Sequence, residues 1–454
     1  MLEIIILAAG KGTRMYSDTP KVLHKLAGQP FLGHVLKCAK ALDPDAVHTV
    51  IGHGSQAVRD MFADGQTSFV EQTEQLGTGH AVMQALPAIS NGATVLILYG
   101  DVPLIKAKTL QQLIGLVNEQ TIALLTVHLD EPSGYGRIVR NADAAVSAIV
   151  EQKDANAEQL MIHEVNTGVL ALPAAYLARA LPQIKNENTQ GEYYLTDLIA
   201  MAVADGLAVN TCQPSSEHEV AGVNNRRQQA ELERIYQLEF ADELLDRGVS
   251  LLDPSRFDCR GELIAGKDCE IDINCVFEGR VELGDGVKIG PNCLLTNAKI
   301  GDNTVVKANS IIETADVGAH CDIGPFARLR PGTELANKAK IGNFVETKKA
   351  KIGEGSKVNH LSYVGDALVG KGVNIGAGTI TCNYDGANKH QTNIQDDVFV
   401  GSNTALVAPL TIGKGATIGA GATITGNVEP GNLAIARAKQ RGIAGWLRPT
   451  KTKK

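Results

Sequence analysis

The sequence predicts two domains of different architecture: an α/β domain built on a mainly parallel sheet, followed by a parallel β-helix. In the first half, short apolar runs alternate with helix-like segments, which is typical of a sheet covered by helices. In the second half, aliphatic residues recur at intervals of six, with four intervals of five, a period that fits neither an α-helix nor a single strand. A chain of 454 residues is also too long for one ordinary core.

The α/β half is predicted from pairs of a short apolar run and a following helix-like segment. That alternation favours a parallel sheet, so binding and catalytic residues are expected beyond the carboxyl ends of its strands. The predicted strands are residues 3–7, 47–51 and 94–99, and the predicted helices are residues 30–42, 56–62 and 108–118.

A long helix is predicted between the two halves. Residues 226–248 are rich in helix formers, and Gly248 marks the end of the segment. The composition changes after Asp253 and Pro254. We therefore predict an α/β domain at residues 1–225, a linker helix at 226–248, and a β-helix with a C-terminal tail at 249–454.

The β-helix is predicted because a coil with three short faces buries one aliphatic residue on each face. A glycine often follows that residue, as at Gly284, Gly342 and Gly401, and we expect it to supply permissive backbone angles at a corner. At two positions of the repeat, Thr347 and Thr381 replace the aliphatic residue. The aliphatic places are Leu283, Ile289, Leu295, Ile300, Val306, Ile312, Val317, Ile323, Leu329, Leu335, Ile341, Ile352, Val358, Val364, Val369, Ile375, Ile394, Val400, Leu406, Ile412, Ile418 and Ile424.

One interval of the repeat is much longer than the others. Between Thr381 and Ile394 the chain reads CNYDGANKHQTN from Cys382 onward, which predicts a loop extruded from the prism. A regular coil does not need such an insertion, so a functional role is favoured over decoration.

Composition excludes some classes of protein. The 43 basic and 50 acidic residues give a formal charge of −7, which argues against binding nucleic acid through a general phosphate-backbone field. The apolar stretch at the N-terminus is short and has no basic residues before it, so a cytoplasmic protein without a membrane span is expected. The eight cysteines form no C-x-x-C pair and are expected to be reduced.

The stretch LAAGKGTRM, from Leu7 to Met15, directly follows an apolar run. It matches neither the Walker pattern nor a complete G-x-G-x-x-G, but glycines after a strand let backbone N–H groups approach phosphates. Arg14 and Lys21 are the two cations expected to offset charge on a phosphorus under attack.

A carboxylate is predicted at the end of another buried strand. Asp101 lies in LILYGDVP, where it could hold Mg²⁺ between substrate phosphates. Asn224, in the stretch GVNN, is the companion ligand that we consider, although spacing alone would also fit a turn asparagine.

The pattern Leu-x-x-Gly-x-Gly-x-Arg-Met followed by Pro-Lys resembles the signature of the sugar-1-phosphate nucleotidyltransferases. The resemblance extends over the first half and implies a Rossmann-like nucleotidyltransferase domain. It implies that the nucleotide is held by Leu7, Ala8, Ala9, Gly10, Lys21, Gln72, Gly77 and Thr78, with uracil read by the last three. It also implies sugar contacts from Tyr99, Asp101, Gly136, Glu151, Asn166 and Asn224.

The β-helix carries residues suited to acyl transfer. Arg330 and Lys348 lie 18 residues apart, which is one full turn, so they should stack on one edge and suit a sugar phosphate. His360 follows about one turn later and could take a proton from an attacking amine. Two other readings are an oligomerisation scaffold and a three-histidine metal site; His320, His360 and His390 are tens of residues apart, which argues against the latter.

With NHLSYVGD and NIGAGTITCNYDGANK, the whole chain resembles the family of bacterial bifunctional N-acetylglucosamine-1-phosphate uridyltransferase/glucosamine-1-phosphate acetyltransferases. That family implies a left-handed parallel β-helix of hexapeptide repeats, which forms a homotrimer with the acetyl site between subunits. It implies His360 as the base, Arg330 and Lys348 on the sugar phosphate, and Tyr363 and Asn374 on the amino sugar. The implied acetyl-CoA contacts are Ala377, Asn383, Tyr384, Ser402, Ala420 and Arg437.

The expected function is therefore two consecutive reactions that supply peptidoglycan and lipopolysaccharide synthesis. Acetyl-CoA acetylates glucosamine-1-phosphate, and UTP then converts N-acetylglucosamine-1-phosphate to UDP-N-acetylglucosamine, with Mg²⁺ at Asp101 and Asn224 and release of pyrophosphate. One alternative is a nucleotidyltransferase whose β-helix only oligomerises or regulates. Another is a nucleotide-sugar sensor without activity.

Overall fold

The structure is a computed structural model that describes residues 1–63, 65 and 67–451. The chain divides into two compact units, Met1–Tyr236 and Gln237–Lys454, and the helix Arg226–Asp246 contains the point of division. None of the helices within the described ranges is long and apolar enough to cross a membrane.

The first unit is built on one sheet. Its strands are parallel except for Glu164–Pro173, which runs antiparallel to its neighbours, and for the antiparallel hairpin attached to that strand. The predicted mainly parallel sheet is therefore confirmed. The strand Leu2–Ala8 is apolar apart from Glu3 and is buried from Glu3 to Ala8, because helices cover both faces of the sheet. In spatial order the strands are Ala208–Cys212, Thr121–His128, Glu164–Pro173, Thr94–Tyr99, Leu2–Ala8, Ala46–Ile51 and Ser68–Glu71, with the hairpin Arg137–Arg140 and Val146–Val150 attached.

The predicted elements of this unit are confirmed with small shifts at their ends. The helix predicted at 108–118 is Ala107–Ile114, and Gly115 follows it directly. The α-helices are Phe31–Lys40, Ser55–Phe62, Thr78–Ala85, Ala107–Ile114, Ala157–Leu160, Ala174–Ala180, Asp197–Ala204 and the dividing helix Arg226–Asp246. Short 3₁₀ turns are Thr13–Met15, Lys21–Leu23, Leu86–Ala88, Leu181–Gln183 and Glu217–Val220, and a small hairpin is Lys25–Leu26 with Gln29–Pro30.

The second unit is a parallel β-helix with three faces, each made of strands stacked from coil to coil. The first face contains Ser250–Leu251, Glu270–Ile271, Lys288–Ile289, Val305–Val306, Asp322–Ile323, Lys340–Asn343, Lys357–His360, Asn374–Ile375, Phe399–Val400, Thr417–Ile418 and Leu433–Ala434. The second face contains Leu294–Thr296, Ile311–Glu313, Arg328–Leu329, Ile380–Cys382, Ala405–Val407 and Thr423–Ile424.

The third face follows the second around each coil. It contains Lys299–Ile300, Ala315–Val317, Thr333–Leu335, Thr392–Ile394 and Leu410–Ile412. The strands Phe257–Ala265, Cys275–Leu283, Glu346–Ile352 and Tyr363–Val369 run through both faces.

The six-residue repeat is confirmed by burial. Every aliphatic position of the series is at most 5% exposed, and together these side chains form one continuous core along the prism. Thr347 and Thr381 are buried as well, and their hydroxyl groups are hydrogen-bonded to Thr333 at 3.0 Å and to Gly365 O at 3.0 Å. Those bonds let a polar side chain occupy an apolar position.

The reason that we gave for the glycine after each aliphatic residue is wrong. Apart from Gly324, those glycines do not have a positive φ. A Cβ atom at Gly342 would lie 1.9 Å from the carbonyl oxygen of Asn359, and one at Gly401 would lie 2.5 Å from the nitrogen of Ala420. Glycine is thus required because the next coil passes against it, while the left-handed corner angles belong to other positions.

The prediction of reduced cysteines is confirmed, because all eight lie in the described residues and none is in a disulfide. Five are buried in the second unit, where burial raises the pKa of the thiols. A raised pKa disfavours the reactive thiolate, so these side chains fill space in the core. They are Cys259, Cys269, Cys275, Cys293 and Cys321.

Candidate active sites

A cavity of about 240 Å³ lies beyond the carboxyl ends of the strands Leu2–Ala8 and Thr94–Tyr99. This is the place where a parallel sheet is expected to bind a ligand. All the residues that the sequence assigned to the nucleotide line this cavity. The lining consists of Leu7, Ala8, Ala9, Gly10, Lys21, Val22, Gln72, Gln75, Gly77, Thr78, Ala81, Tyr99, Asp101 and Glu192.

The glycine-rich loop closes over Lys21. Gly12 has a φ of 60°, and a Cβ atom there would lie 2.6 Å from the Cβ of Lys21. Both the backbone angle and the lack of space therefore require glycine. The close packing keeps the stem of Lys21 behind the loop and its ammonium group at the cavity wall.

Four predicted residues meet in one polar cluster. The ammonium group of Lys21 donates hydrogen bonds to the carboxylate of Asp101 and, at 2.7 Å, to Oδ1 of Asn224. Arg14 donates to the same Oδ1 at 3.0 Å. The side chain of Lys21 is only 12% exposed and that of Asp101 20%, so their opposite charges are partly shielded from water. Val223 fixes the turn, because its N–H donates to Asp101 O at 3.0 Å.

Gly77, Gln72 and Thr78, at the end of the cavity assigned to the nucleotide base, are fixed by contacts with backbone groups. Gly77 has a φ of 109°, and a Cβ there would lie 2.7 Å from Tyr193 O. Gln72 is buried, and its amide nitrogen donates to Gly77 O at 3.2 Å. The Thr78 hydroxyl accepts from the N–H of Leu195 at 3.2 Å. These bonds leave the side-chain oxygen of Gln72 available to a ligand N–H.

Of the residues assigned to the sugar, Tyr99 and Asp101 line this cavity, whereas Gly136, Glu151, Asn166 and Asn224 are not part of its lining. The ring of Tyr99 packs on Gly168, where a Cβ would lie 2.5 Å away, and burial followed by the charge of Glu151 raises the pKa of its hydroxyl. Burial also raises the pKa of Glu151, against the effect of the 3.1 Å hydrogen bond from Thr196. Tyr99 and Glu151 therefore offer polar atoms in surroundings that are partly shielded from water, which suits recognition of the hydroxyl groups of a sugar.

Gly136 and Asn166 lie beside Glu151. A Cβ at Gly136 would lie 3.4 Å from a carboxylate oxygen of Glu151, and the N–H of Asn166 donates to Gly136 O at 2.9 Å. The register of the strand is irregular directly after Asn166. The structure thus brings the three residues together, with Asn166 directly before the irregular part of its strand.

Four lining residues were not predicted from the sequence: the apolar Val22 and Ala81, and the polar Gln75 and Glu192. Gln75 lies within QTEQLGTGHA, and its amide nitrogen donates to Gln72 O at 3.2 Å. Glu192 reaches the cavity from a segment without any motif. Gln75 could have been found as a neighbour of the predicted base-reading stretch, whereas only the fold brings Glu192 to the cavity.

On the second unit, the predicted stacking of the two cations is confirmed by strand register. Leu329 pairs with Thr347, which places Arg330 over Lys348 on the second face. Arg330 also donates a 2.6 Å hydrogen bond to Glu346, which raises the pKa of its guanidinium. The Arg330 guanidinium therefore has a carboxylate partner in Glu346.

A third cation completes this cluster and was missed. Lys389, in the extruded loop, is the largest cause of the lowered pKa of Lys348, ahead of Arg330. Like charges that lie this close are unfavourable unless an anion separates them. The loop was predicted to be functional but Lys389 was not, because the fold rather than the spacing brings this side chain back to Lys348.

His360 ends a strand of the first face, at the corner before the second face. On the preceding coil its register partner is Asn343, whose Oδ1 lies 2.7 Å from His360 Nδ1. On the following coil the register leads to Ala377, and the N–H of Gly378 donates to His360 O at 3.3 Å. The His360 side chain is exposed at this edge.

The residues assigned to acetyl-CoA continue the same edge. The N–H of Asn403 donates to Ala377 O at 2.7 Å, the N–H of Gly421 donates to Ser402 O at 2.8 Å, and Arg437 donates to Ala420 O. Ala377, Ser402, Ala420 and Arg437 therefore lie on successive coils, in a row that begins at His360. We call this row the acyl edge.

The extruded loop folds as a small hairpin beside the second face. Tyr384 pairs with Lys389, and Asp385 accepts from the N–H groups of Asn388 and Ala387 and from His390, which together lower its carboxyl pKa. Tyr384 is 60% exposed. Asn383 is buried at the base of the loop, and its amide nitrogen lies 3.5 Å from the hydroxyl of Tyr363.

Two residues assigned to the amino sugar occupy different faces. Tyr363 starts the second face, and its ring lies over Gly365, where a Cβ would be 2.3 Å from the hydroxyl. Asn374 starts a strand of the first face and pairs with Lys357, at the opposite end of that face from His360. A single chain therefore does not bring Asn374 to His360.

The fold and these two sites define a class of protein: a nucleotidyltransferase joined to a hexapeptide-repeat transferase. Family comparison supports both halves. Residues 4–200 match the MobA-like NTP transferase domain, and residues 391–426 match the bacterial transferase hexapeptide. Residues 259–342 match the C-terminal domain named GMPPB.

Relatives that match over the full length of the chain identify the family within this class. Proteins named bifunctional protein GlmU share 64% identity in Saccharophagus degradans and 61% in Marinobacter nauticus and Cellvibrio japonicus. Each alignment covers 99% of this chain and at least 99% of the relative. The chain belongs to the GlmU family of bifunctional enzymes. Membership confirms the predicted fold and the predicted function, in which one chain combines nucleotidyl transfer with acetyl transfer.

Proposed function

We propose that the cavity of the first unit binds UTP and N-acetylglucosamine-1-phosphate, with the triphosphate against the glycine-rich loop and the base at Gln72 and Thr78. What supports this assignment is the convergence of both predicted cations on Asp101 and Asn224 at the wall of that cavity. The sugar is assigned to Tyr99 and Glu151.

The donor set at Asp101 and Asn224 fits Mg²⁺. A carboxylate and an amide oxygen point at one position, where the ammonium group of Lys21 contacts both. Among the described residues no group of three His, Cys, Asp or Glu side chains could hold a metal ion. Substrate phosphates would therefore supply further ligands, as is usual for Mg²⁺, and the bound ion would neutralise charge on those oxygens.

The chain's own residues then orient the reaction. The sugar phosphate attacks the α-phosphorus of UTP, a new P–O bond forms, and pyrophosphate leaves with the electron pair of the broken bond. Arg14 and Lys21 are the cations within reach of the developing charge, and the triphosphate gives Lys21 a partner in place of Asp101. In-line geometry is sufficient, and no covalent enzyme intermediate is needed.

In the second unit, the amine of glucosamine-1-phosphate attacks the thioester carbonyl carbon of acetyl-CoA. A C–N bond forms, the C–S bond breaks, and the CoA sulfur leaves. His360 takes the proton that the amine loses. The observation that carries this assignment is the acyl edge, which leads from Arg437 coil by coil to His360.

The phosphate of the amino sugar is assigned to Arg330, Lys348 and Lys389. These cations repel one another without an anion, as the lowered pKa of Lys348 indicates. A phosphate between them would replace repulsion by charge-assisted hydrogen bonds. Tyr363 and Asn374 are assigned to the sugar and Tyr384 to acetyl-CoA.

A homotrimer would complete the acetyl site. The acyl edge is open on one side, Tyr384 is 60% exposed, and Asn374 lies away from His360 within one chain. A neighbouring copy packed against this edge would enclose the substrates. The expected particle in solution has three times the chain mass of 48.1 kDa, which light scattering measures directly. A cytoplasmic location belongs to the same proposal.

The test of the second activity uses the purified protein with acetyl-CoA and glucosamine-1-phosphate, without nucleotide. Release of free CoA thiol that requires the amino sugar is expected, and His360→Ala should lower it by about 1,000-fold, within the range for loss of a general base. Pyrophosphate release from UTP and N-acetylglucosamine-1-phosphate should be unchanged in the same variant. Full thiol release by His360→Ala would remove His360 from the mechanism.

A further inference from the structure

The side chain that holds His360 comes from the preceding coil. Asn343 and His360 are register partners on the first face, and Asn343 Oδ1 lies 2.7 Å from His360 Nδ1. The backbone fixes the same pair, because the N–H of Leu361 donates to Asn343 O at 3.1 Å. A side chain on an adjacent β-helix strand is held in position more firmly than one on a loop.

The chemistry of this contact determines the tautomer. An amide oxygen can only accept a hydrogen bond, so Nδ1 of His360 must be the donor. In a neutral imidazole with a proton on Nδ1, the lone pair lies on Nε2. Nε2 is therefore the nitrogen that can take a proton from the substrate amine.

We propose that Asn343 is a positioning residue of the acetyl transfer, one that fixes the ring orientation and the Nδ1-protonated tautomer of His360. This inference rests on the proposed role of His360 as the base. Because Asn343 is neutral, it orients the imidazole without placing a negative charge beside it.

The first variant is Asn343→Asp, which keeps an acceptor oxygen in place but adds a negative charge. The carboxylate favours protonated His360, so the acidic limb of the kcat/KM profile for acetyl transfer should move up by about one pH unit. Above that limb, the rate should remain close to that of the wild type. A profile that superimposes on the wild type would overturn the proposal.

The second variant is Asn343→Leu, which removes the acceptor. The ring is then free to adopt the other tautomer and other orientations, so kcat should fall about tenfold or more while the KM for acetyl-CoA stays within about twofold. Asn337→Leu is the matched control, because Asn337 also makes a hydrogen bond between coils, accepting from the N–H of Ala319 at 2.9 Å. A purely structural role would give both leucine variants the same loss.

His360→Ala separates this inference from the proposed function. If His360→Ala abolishes thiol release while both Asn343 variants match the wild type, the base is correct and the positioning role is wrong. If His360→Ala keeps full activity, both are wrong. The expected result is loss in His360→Ala, a shifted profile in Asn343→Asp and a lowered kcat in Asn343→Leu.

Discussion

In the nucleotide cavity, Lys21 meets Asp101 and Asn224, which lie 80 and 203 residues away in the sequence. Along the β-helix, Arg330 meets Lys348 and Asn343 meets His360, each one coil apart. The first arrangement depends on a sheet that gathers the ends of distant strands. The second depends on a register that repeats, so neighbouring positions follow from the repeat length.

The two regions also differ in enclosure. The first unit has a concave cavity, in which Lys21 and Asp101 are mostly buried. The acyl edge is a convex corner of a prism, where His360 and Tyr384 are exposed. A convex corner cannot exclude water alone, which is why the comparison favours a site shared between copies of the chain.

The largest expected effect tests whether the two sites are independent. Asp101→Ala removes the carboxylate proposed for Mg²⁺, so uridylyl transfer should fall at least about 100-fold because charge on the phosphates is no longer neutralised. Pyrophosphate release is measured, with thiol release on the same sample as the reference. Asp205→Ala, which breaks an exposed ion pair with Arg179, is the control. A parallel loss of acetyl transfer would contradict independence.

A smaller effect tests the register that builds the acyl edge. In Gly342→Ala the new Cβ would lie 1.9 Å from Asn359 O, one residue from His360, so the coil should lose about 2 kcal/mol of stability through overpacking. The temperature at which acetyl transfer is half lost should fall, while that for uridylyl transfer should not. Gly426→Ala, with nothing within 4 Å of the new atom, should leave both temperatures unchanged.

The smallest effect tests the cation that comes from the extruded loop. Lys389→Ala removes one charge-assisted contact to the phosphate, so the KM for glucosamine-1-phosphate should rise about tenfold with little change in the KM for acetyl-CoA. Lys371→Ala is the control, because the side chain of this lysine is 71% exposed and its contact to Glu354 is long, at 3.8 Å. An unchanged KM in Lys389→Ala would take the loop out of phosphate binding.

The sequence was most informative where the position of a residue in the fold follows from the length of the repeat. The six-residue period predicted the buried positions of the β-helix, and the interval of 18 residues predicted that Arg330 stacks on Lys348. The glycines show the limit of that reasoning. Their positions were visible, but their cause was not, because the space between coils is a property of the folded prism.

The nucleotide cavity could be predicted only in part. LAAGKGTRM and Asp101 follow apolar strands, so their place at the sheet edge was expected from the fold class. The partnership of Asn224 with Lys21 needed the resemblance to a family or the structure. Glu192 and Lys389 carry no local signal, since the fold of a distant segment or loop brings each to its site.

The extruded loop leaves the prism without disturbing it. Ile380 still pairs with Ala405 on the next coil, and Thr392 pairs with Leu410. The strand pairing of the prism therefore continues across the insertion. An evolving or engineered enzyme could exchange this segment for one of another length and thereby change which acceptor is acylated, while the stack of coils below and above it continues to fold as before.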